Sequence, residues 1–194
     1  MNKAQIFSLV GIPEVHWKVM RKKLPPQSAH SIIIKKYLDN LPAMLQQGQG
    51  LYLHGDYGTG KSGTAALILM EAIKHRVLGY WVRAKNLPDY VINNARTEDN
   101  VDVLTKCLET PLLVIDEFQV REEVKFTETI VEDIVRMRLD DRRSTIVTSN
   151  VTTSSLSKLY PALLSVLKEG VLPVKVAGFN FRTSIKGILA DELR

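Results

Sequence analysis

The most informative stretch of the sequence is Gly55-Asp56-Tyr57-Gly58-Thr59-Gly60-Lys61-Ser62. Four residues separate its first glycine from its last, and lysine and serine follow, as in loops that bind nucleotide phosphates. Glycine lets the backbone wrap closely around phosphate oxygens and point its N–H groups at them. We therefore expect this loop, together with the adjacent Gly63, to bind the phosphates of a nucleotide.

The residues on either side of the loop give it the context that this chemistry requires. Residues 51–54 are apolar and predict a buried strand, and residues 61–75 predict a helix that is apolar nearly all round. The start of that helix supplies free N–H donors and the positive end of the helix dipole. We expect Lys61 to reach the β- and γ-phosphates and Ser62 to bind Mg²⁺.

Strand and helix signals alternate along the rest of the chain. Further strands are predicted at 79–83, 111–115, 144–148 and 171–176. Further helices are predicted at 86–94, 122–139 and 183–193, with two short ones between 153 and 168. An earlier helix, capped by Ser28 or Ser31 and interrupted at Pro42, precedes the first strand. Short apolar strands alternating with helices indicate an α/β fold, with a parallel sheet covered on both faces.

Two carboxylates, Asp116 and Glu117, come directly after the apolar strand predicted at 111–115. Ligands of parallel sheets lie beyond the carboxyl ends of the strands. We expect Asp116 to hold Mg²⁺ through its hydration shell and Glu117 to orient water for attack on a γ-phosphate. The alternative interpretation of this pair is a solvated turn. The presence of a second carboxylate also favours hydrolysis of the nucleotide over a protein that only binds it as a switch.

A third polar strand end reads Thr145-Ile146-Val147-Thr148-Ser149-Asn150. The β-branched residues predict a strand, and its polar end repeats the arrangement at Asp116. Asn150 is placed to donate a hydrogen bond to a γ-phosphate or to the attacking water. Alone, Asn150 is equally compatible with a cap of the helical turn that follows it.

Composition excludes several classes of protein. The chain has 194 residues, a formal net charge of +5, four histidines and a single cysteine, Cys107. One cysteine forms no intrachain disulfide, and the scattered histidines do not have zinc-ligand spacing. The longest apolar run is about six residues, far short of the roughly 20 that a membrane span needs. With no signal-peptide pattern either, we expect a cytoplasmic protein without a membrane partner.

Positive charge is concentrated at the start of the chain. Residues 1–50 hold seven basic and two acidic side chains, and the remaining residues are balanced. This segment is either a surface for a polyanion or an acidic partner, or a solvated basic face. Trp17 lies beside Lys18 and the basic residues 21–23, so it either stacks on a base or packs inside the protein. A second group either offsets helix dipoles or contacts phosphates or another subunit: Arg136, Arg138, Arg142 and Arg143.

Taken together, the loop, the carboxylate pair and residues 145–150 resemble the motifs of AAA+ ATPases, within them the bacterial helicase-loader group of DnaC, DnaI and IstB. Gly11-Ile12-Pro13 and residues 50–55 extend the resemblance, which covers about residues 11–185. It implies a P-loop NTPase with five parallel strands in the order 5-1-4-3-2 and an AAA+ core without a full helical lid. It also implies ATP and Mg²⁺ as cofactors, an ATP-dependent homo-oligomer, single-stranded DNA and a DnaB-type replicative helicase as client. Since no segment is typical of base-specific recognition, we expect DNA binding to be sequence-independent.

The sequence departs from this group in two ways. Residues 1–27 are interpreted as a basic N-terminal arm and 28–194 as the AAA+ core, so helicase contact would fall to one of these rather than to a separate domain. This reduced form suggests a phage or mobile-element origin. No arginine occurs between residues 151 and 181, and Val166 stands where the family places the arginine that serves a neighbouring subunit's nucleotide. Arg182 resembles the family's late arginine near the nucleotide, so we expect hydrolysis to be slow or completed by a partner's arginine.

Three functions are compatible with these residues. The first is an ATPase that loads or remodels a hexameric replicative helicase. The second is an IstB-like transposition helper, which would differ in its client rather than in its site. The third is a P-loop kinase of small molecules or nucleotides. The scarcity of arginine after residue 144 and the Asp116-Glu117 pair weigh against a kinase.

Overall fold

Five parallel strands form one sheet at the centre of the described structure. The computed structural model describes residues 1–19, 24, 28–93, 98–119 and 125–178. The strands are β1 (Gly50–His54), β2 (Gly79–Arg83), β3 (Leu112–Phe118), β4 (Ser144–Ser149) and β5 (Val171–Lys175). They lie in the order β2-β3-β4-β1-β5, and each neighbouring pair is parallel. The predicted order 5-1-4-3-2 is confirmed.

Helices flank the sheet on both faces. In the described ranges they are α1 (Lys3–Leu9), α2 (Ala29–Asp39), α3 (Leu41–Gln46), α4 (Lys61–Lys74), α5 (Leu87–Asn93), α6 (Glu98–Glu109), α7 (Lys125–Asp140), α8 (Thr153–Leu159) and α9 (Pro161–Gly170). Single turns of 3₁₀-helix occur at Glu14–His16 and Ala84–Asn86. None of these helices is both long enough and apolar enough to cross a bilayer.

The strands were predicted more accurately than the helices. Ser28 caps α2 by accepting the Ser31 N–H, and Pro42 stands in the first turn of α3, as expected. The prediction missed α1 and also α6, which fills most of the interval between the helix predicted at 86–94 and β3. A polar first turn hides α6, although its apolar residues 103, 104, 107 and 108 recur at helical spacing. The helix predicted at 183–193 lies outside the described residues.

Alternate residues of the strands face two separate apolar layers. Leu51 and Leu53 of β1 pack with α2 and α4, whereas Tyr52 faces the layer built by α7 and α9. Every residue of β1 and β4 is buried. Burial on both faces is the arrangement expected for a parallel sheet between helices. This packing holds the ends of β1 and β4 in place, and the predicted site lies at these ends.

Residues 7–17 are joined to the sheet rather than separate from it. Val10 and Ile12 are buried in the α4-side layer, and the Trp81 amide of the edge strand β2 donates to Val10 O at 2.8 Å. Trp17 Nε1 donates to Ile12 O at 2.8 Å and its ring meets Phe7 edge-on. Trp17 is therefore a packing residue. The division at residue 27 stays a prediction, and the basic residues 21–23 lie outside the described residues.

Arg138 is buried, so the structural interpretation holds for this member of the arginine group. Its guanidinium donates to Thr145 Oγ1, Cys107 O, Leu108 O and Ser144 O at 2.7–3.1 Å. Burial lowers the pKa of the guanidinium, and the surrounding oxygen acceptors compensate for its lost hydration. Arg138 thereby ties the end of α6 to β4.

The other arginines of this group lie nearer the surface. Arg136 is exposed and pairs with Glu132 of its own helix at 2.9 Å. Arg143 donates to Leu108 O and lies 3.5 Å from an Asp141 carboxylate oxygen. These contacts are local and assign neither residue to a partner or a phosphate.

Candidate nucleotide-binding site

The loop predicted to bind phosphate lies between β1 and α4. Gly60 is left-handed, with φ of 93°, and ends the loop as the N-cap of α4. A side chain at Gly55 would clash, because its Cβ would lie 2.3 Å from Val176 O. Both glycines are therefore required by the backbone path, independently of any ligand.

Lys61 directs its ammonium group into the loop. The residue is 8% exposed, and Nζ donates to Gly55 O at 2.8 Å and to Asp56 O at 2.7 Å. Thr59 Oγ1 donates to the same Asp56 oxygen at 2.9 Å. These bonds hold a positive charge at the centre of the loop. Phosphate oxygens can replace the two carbonyl oxygens as acceptors for this ammonium group.

The first turn of α4 offers donors to an anion. Its N-cap is Gly60, and within the described structure no side chain caps this end of the 14-residue helix. The backbone N–H groups of Lys61, Ser62 and Gly63 belong to the turn that lacks intrahelical partners. A phosphate would satisfy such donors and gain from the helix dipole. The loop therefore fits the phosphates of a nucleotide.

The two carboxylates differ in their surroundings. Asp116 is 3% exposed at the end of β3, whereas the Glu117 side chain is 45% exposed. Glu117 has φ of 58°, a left-handed conformation that a non-glycine residue rarely adopts. Such strain persists only where the surrounding structure enforces it, and it clusters at functional sites.

A hydroxyl on the neighbouring strand joins the two carboxylate residues. Thr148 Oγ1 donates to Asp116 Oδ1 at 2.6 Å and accepts the Glu117 backbone N–H at 3.0 Å. The sequence analysis assigned no role to Thr148, because β3 and β4 are far apart in the chain. Its position two residues before Asn150, at a polar strand end, was the available signal.

Arg83 is a second residue that the sequence analysis missed. It ends β2, pairs in register with Asp116, and places Nε 3.9 Å from Glu117 Oε2. Both side chains are about half exposed, so the attraction is weak. A search for polar residues at every predicted strand end, not only after β3 and β4, would have found it.

Asn150 follows β4, the strand that separates β1 from β3. In the register, its neighbour Ser149 lies opposite His54, so Asn150 follows at the level where the phosphate loop begins. The cap of α8 is Thr152, whose hydroxyl accepts the Ser155 N–H at 3.1 Å. The alternative interpretation of Asn150 as that helix cap is therefore wrong.

His54 is a buried base directly before the loop. Its ring stacks on Tyr52 with centroids 5.6 Å apart, and among the described residues Nδ1 has no hydrogen-bond partner. Burial, and then the positive charges of Lys175 and Lys61, lower the pKa of His54. The ring is therefore neutral at pH 7 and adds no charge beneath the loop.

The remaining candidates are dispersed. Val166, where the family resemblance predicts an arginine position, is 1% exposed in the α9 side of the core, so its side chain is not at the surface. Tyr57 of the loop is 64% exposed. Arg182 lies outside the described residues.

The oxygen ligands suit Mg²⁺. Ser62 supplies a hydroxyl and Asp116 a carboxylate, and Mg²⁺ is commonly held by one or two protein oxygens, waters and substrate phosphates. Across the described ranges, no group of three or more His, Cys, Asp or Glu residues could hold a metal by itself. The residues therefore fit a Mg²⁺ ion that arrives with a nucleotide.

Comparison with known proteins defines the fold. No protein-family model matches the sequence, and no curated protein matches it. The structure of DnaI superposes with a TM-score of 0.73 at 20% identity, over 89% of this chain and 95% of that chain. The DnaC helicase loader gives 0.72 at 19% identity, over 85% and 100%. The replication initiator DnaA, bound to AMPPCP and single-stranded DNA, gives 0.68 at 16% identity, over 88% and 55%. The chain therefore has the same fold as DnaI and the DnaC helicase loader.

Proposed function

We propose that this protein is a cytoplasmic ATPase that loads or remodels a hexameric, DnaB-type replicative helicase on single-stranded DNA. The observation that carries the proposal is the pairing of two elements on a fold shared with DnaI and DnaC. One is the loop that encloses the Lys61 ammonium group, and the other is the Asp116-Glu117 pair at the end of β3.

The residues of the site divide the chemistry between them. A bound Mg²⁺ would withdraw charge from the phosphates of ATP. Lys61 would exchange its carbonyl acceptors for phosphate oxygens, and Ser62 and Asp116 would hold the ion. Glu117 would accept a proton from the attacking water. Its carboxylate is exposed near the strand end, so water can reach it. Asn150 orients the γ-phosphate or that water by a hydrogen bond.

Hydrolysis by one chain alone is slow in this proposal. The chain lacks arginine between residues 151 and 181, and Arg182 enters only through the family resemblance. An arginine supplied to the transferred phosphoryl group contributes about 10³–10⁵ in rate in related NTPases. We expect a second copy, or the helicase, to supply this cation, with assembly favoured by bound ATP.

DNA contact is supported by the proteins of the same fold and by charge. One DnaA structure holds AMPPCP and single-stranded DNA together. In the present chain, residues 1–50 carry seven basic and two acidic side chains. Contacts of this kind neutralise phosphates without reading bases, so binding weakens steeply as salt rises.

The proposal is tested by phosphate release from ATP, with and without single-stranded DNA. Lys61→Ala removes the loop ammonium group and should abolish nucleotide binding. Lys74→Ala is the matched control, since Lys74 is a lysine of the same helix whose ammonium group pairs with Glu71 at the surface. DNA-stimulated turnover that survives in the control supports a loader or remodeller. ATP consumption only upon adding a small phosphate acceptor would identify a kinase and contradict the proposal.

The client separates a loader from a transposition helper. A loader should alter the binding of a hexameric helicase to single-stranded DNA, and it should do so only with ATP. ATP-dependent stimulation of a transposase, with no effect on a helicase, would support the second function instead.

A further inference from the structure

One buried hydroxyl contacts both carboxylate residues of the site. Thr148 is 1% exposed, and its Oγ1 lies 2.6 Å from Asp116 Oδ1 and 3.0 Å from Glu117 N. A hydroxyl has one hydrogen to give and accepts through its lone pairs. Here the hydrogen goes to the carboxylate and a lone pair receives the amide. These two hydrogen bonds therefore join Thr148 to Asp116, which would hold the ion, and to Glu117, which would activate water.

The strand pairing explains why this hydroxyl is needed. Ile115 pairs with Val147 and Phe118 pairs with Ser149, so β3 carries two residues where β4 carries only Thr148. An inserted residue of this kind is left out of the ladder of backbone hydrogen bonds. The Glu117 N–H, in a left-handed residue, finds its acceptor in the Thr148 side chain instead. The side chain thus stabilises the irregularity that re-aims Glu117 away from the strand.

The bond to Asp116 has a separate consequence. Donation to Oδ1 fixes the rotation of a carboxylate that is 3% exposed, and the other oxygen, Oδ2, is not used by Thr148. Groups that bond to a metal-binding carboxylate orient it, and their removal commonly costs 10- to 100-fold in metal affinity or activity.

We infer that Thr148 is a positioning residue for ATP hydrolysis, holding Asp116 for Mg²⁺ and Glu117 for water through a single hydroxyl. This inference rests on the proposed ATPase function and adds a residue to its machinery. In this role Thr148 acts through its hydrogen bonds to Asp116 and Glu117. Its loss should therefore alter turnover and Mg²⁺ use, and leave binding of the nucleotide by the loop unchanged.

Three variants separate positioning from folding. Thr148→Val keeps the branched shape and removes the hydroxyl, whereas Thr148→Ser keeps the hydroxyl and removes the methyl group. Thr145→Val is the matched control, because Thr145 is a buried threonine of the same strand whose hydroxyl serves Arg138 rather than the site. Thermal denaturation monitors the fold of each variant. If the valine variant does not fold, Thr148→Ala, which leaves room for a water molecule, takes its place.

The experiment measures kcat and KM for ATP, and the Mg²⁺ concentration that gives half-maximal binding of AMPPCP. In Thr148→Val we expect kcat to fall and the Mg²⁺ midpoint to rise, each by about 10- to 100-fold. KM for ATP measured at saturating Mg²⁺, and AMPPCP binding without Mg²⁺, should stay at the wild-type values. Thr148→Ser should return kcat and the midpoint close to wild type, and Thr145→Val should change neither.

Several results would overturn the inference. Wild-type kcat and midpoint in Thr148→Val would remove the role, and an equal loss in Thr148→Ser would assign it to methyl packing. An equal loss in Thr145→Val would reduce it to the stability of β4. A wild-type protein that binds Mg²⁺–AMPPCP without hydrolysing ATP would contradict the proposed function alone, and the Mg²⁺ midpoint would still decide the role of Thr148. Absence of Mg²⁺-dependent binding in the wild type would overturn both.

Discussion

Replacing Arg138 by methionine should destabilise the fold. Methionine keeps an unbranched apolar side chain but removes the guanidinium group, which donates to four buried or partly buried oxygens. The Cys107 carbonyl has no alternative partner in its helix, because the residue four positions later is Pro111, which has no N–H. Leu108 O keeps a donor in Arg143, and the Thr145 hydroxyl can rotate.

The magnitude follows from the acceptors left behind. The Cys107 and Ser144 carbonyls lose their guanidinium donors, and each unsatisfied buried group costs about 1–3 kcal/mol. Relief of the buried charge offsets part of this loss. We expect a net loss of about 3 kcal/mol in the free energy of unfolding, which corresponds to a fall in Tm of roughly 6–12 °C for a chain of this size.

Urea unfolding of Arg138→Met measures this loss, and Arg136→Met is the control. Arg136 is exposed and its pair with Glu132 lies within one helix, so its replacement should cost at most about 0.5 kcal/mol. A free energy of unfolding for Arg138→Met within about 1 kcal/mol of wild type would show that the buried carbonyls do not depend on the guanidinium group.

Two further predictions concern the site, and a third concerns the pH dependence of stability. Glu117→Gln keeps the size of the side chain but cannot accept a proton, so kcat should fall about 10²–10⁴-fold with ATP binding intact; a normal kcat would remove the assignment. Arg83→Ala frees the Glu117 carboxylate from an exposed ion pair of at most about 1 kcal/mol, so basal turnover should rise by no more than about fivefold, and a fall would give Arg83 a direct role. The pKa values of His54 and His30 are lowered in the folded chain, so below pH 6.5, the ordinary histidine pKa, the unfolded chain binds more protons than the folded chain. The free energy of unfolding should therefore fall as pH drops below 6.5. Urea titrations at pH 7.5 and 5.5 should show a smaller fall for His54→Gln than for wild type, and an equal fall would contradict the prediction.

The parts predicted from sequence were those with local patterns. The phosphate loop has a fixed spacing of glycines and a lysine, and the apolar run before Asp116 announces a buried strand. The sheet order came from the family resemblance carried by those motifs, and the structure has that order. The loop and the apolar strand each depend on residues close together in the chain.

The parts that were missed depend on tertiary contacts. Thr148 meets Asp116 only because β3 and β4 pair, and a bulge that no local pattern announces brings it to Glu117. From sequence, Arg138 was predicted either to offset a helix dipole or to contact phosphates or another subunit, but the fold encloses it with carbonyls from α6 and β4. A sequence pattern records which side chains are polar, not which of them the packing will bury.

If this protein is an ATP-dependent loader, the state of its nucleotide site should control its contact with single-stranded DNA. The most direct measurement is the anisotropy of a labelled single-stranded oligo-dT titrated with the Glu117→Gln protein, in ATP, in ADP and without nucleotide. We predict tight, salt-sensitive binding in ATP and weak binding in the other two conditions, with the Lys61→Ala protein weak throughout. If the Glu117→Gln and Lys61→Ala proteins bind the oligonucleotide with the same affinity in all three conditions, the nucleotide site does not control DNA binding.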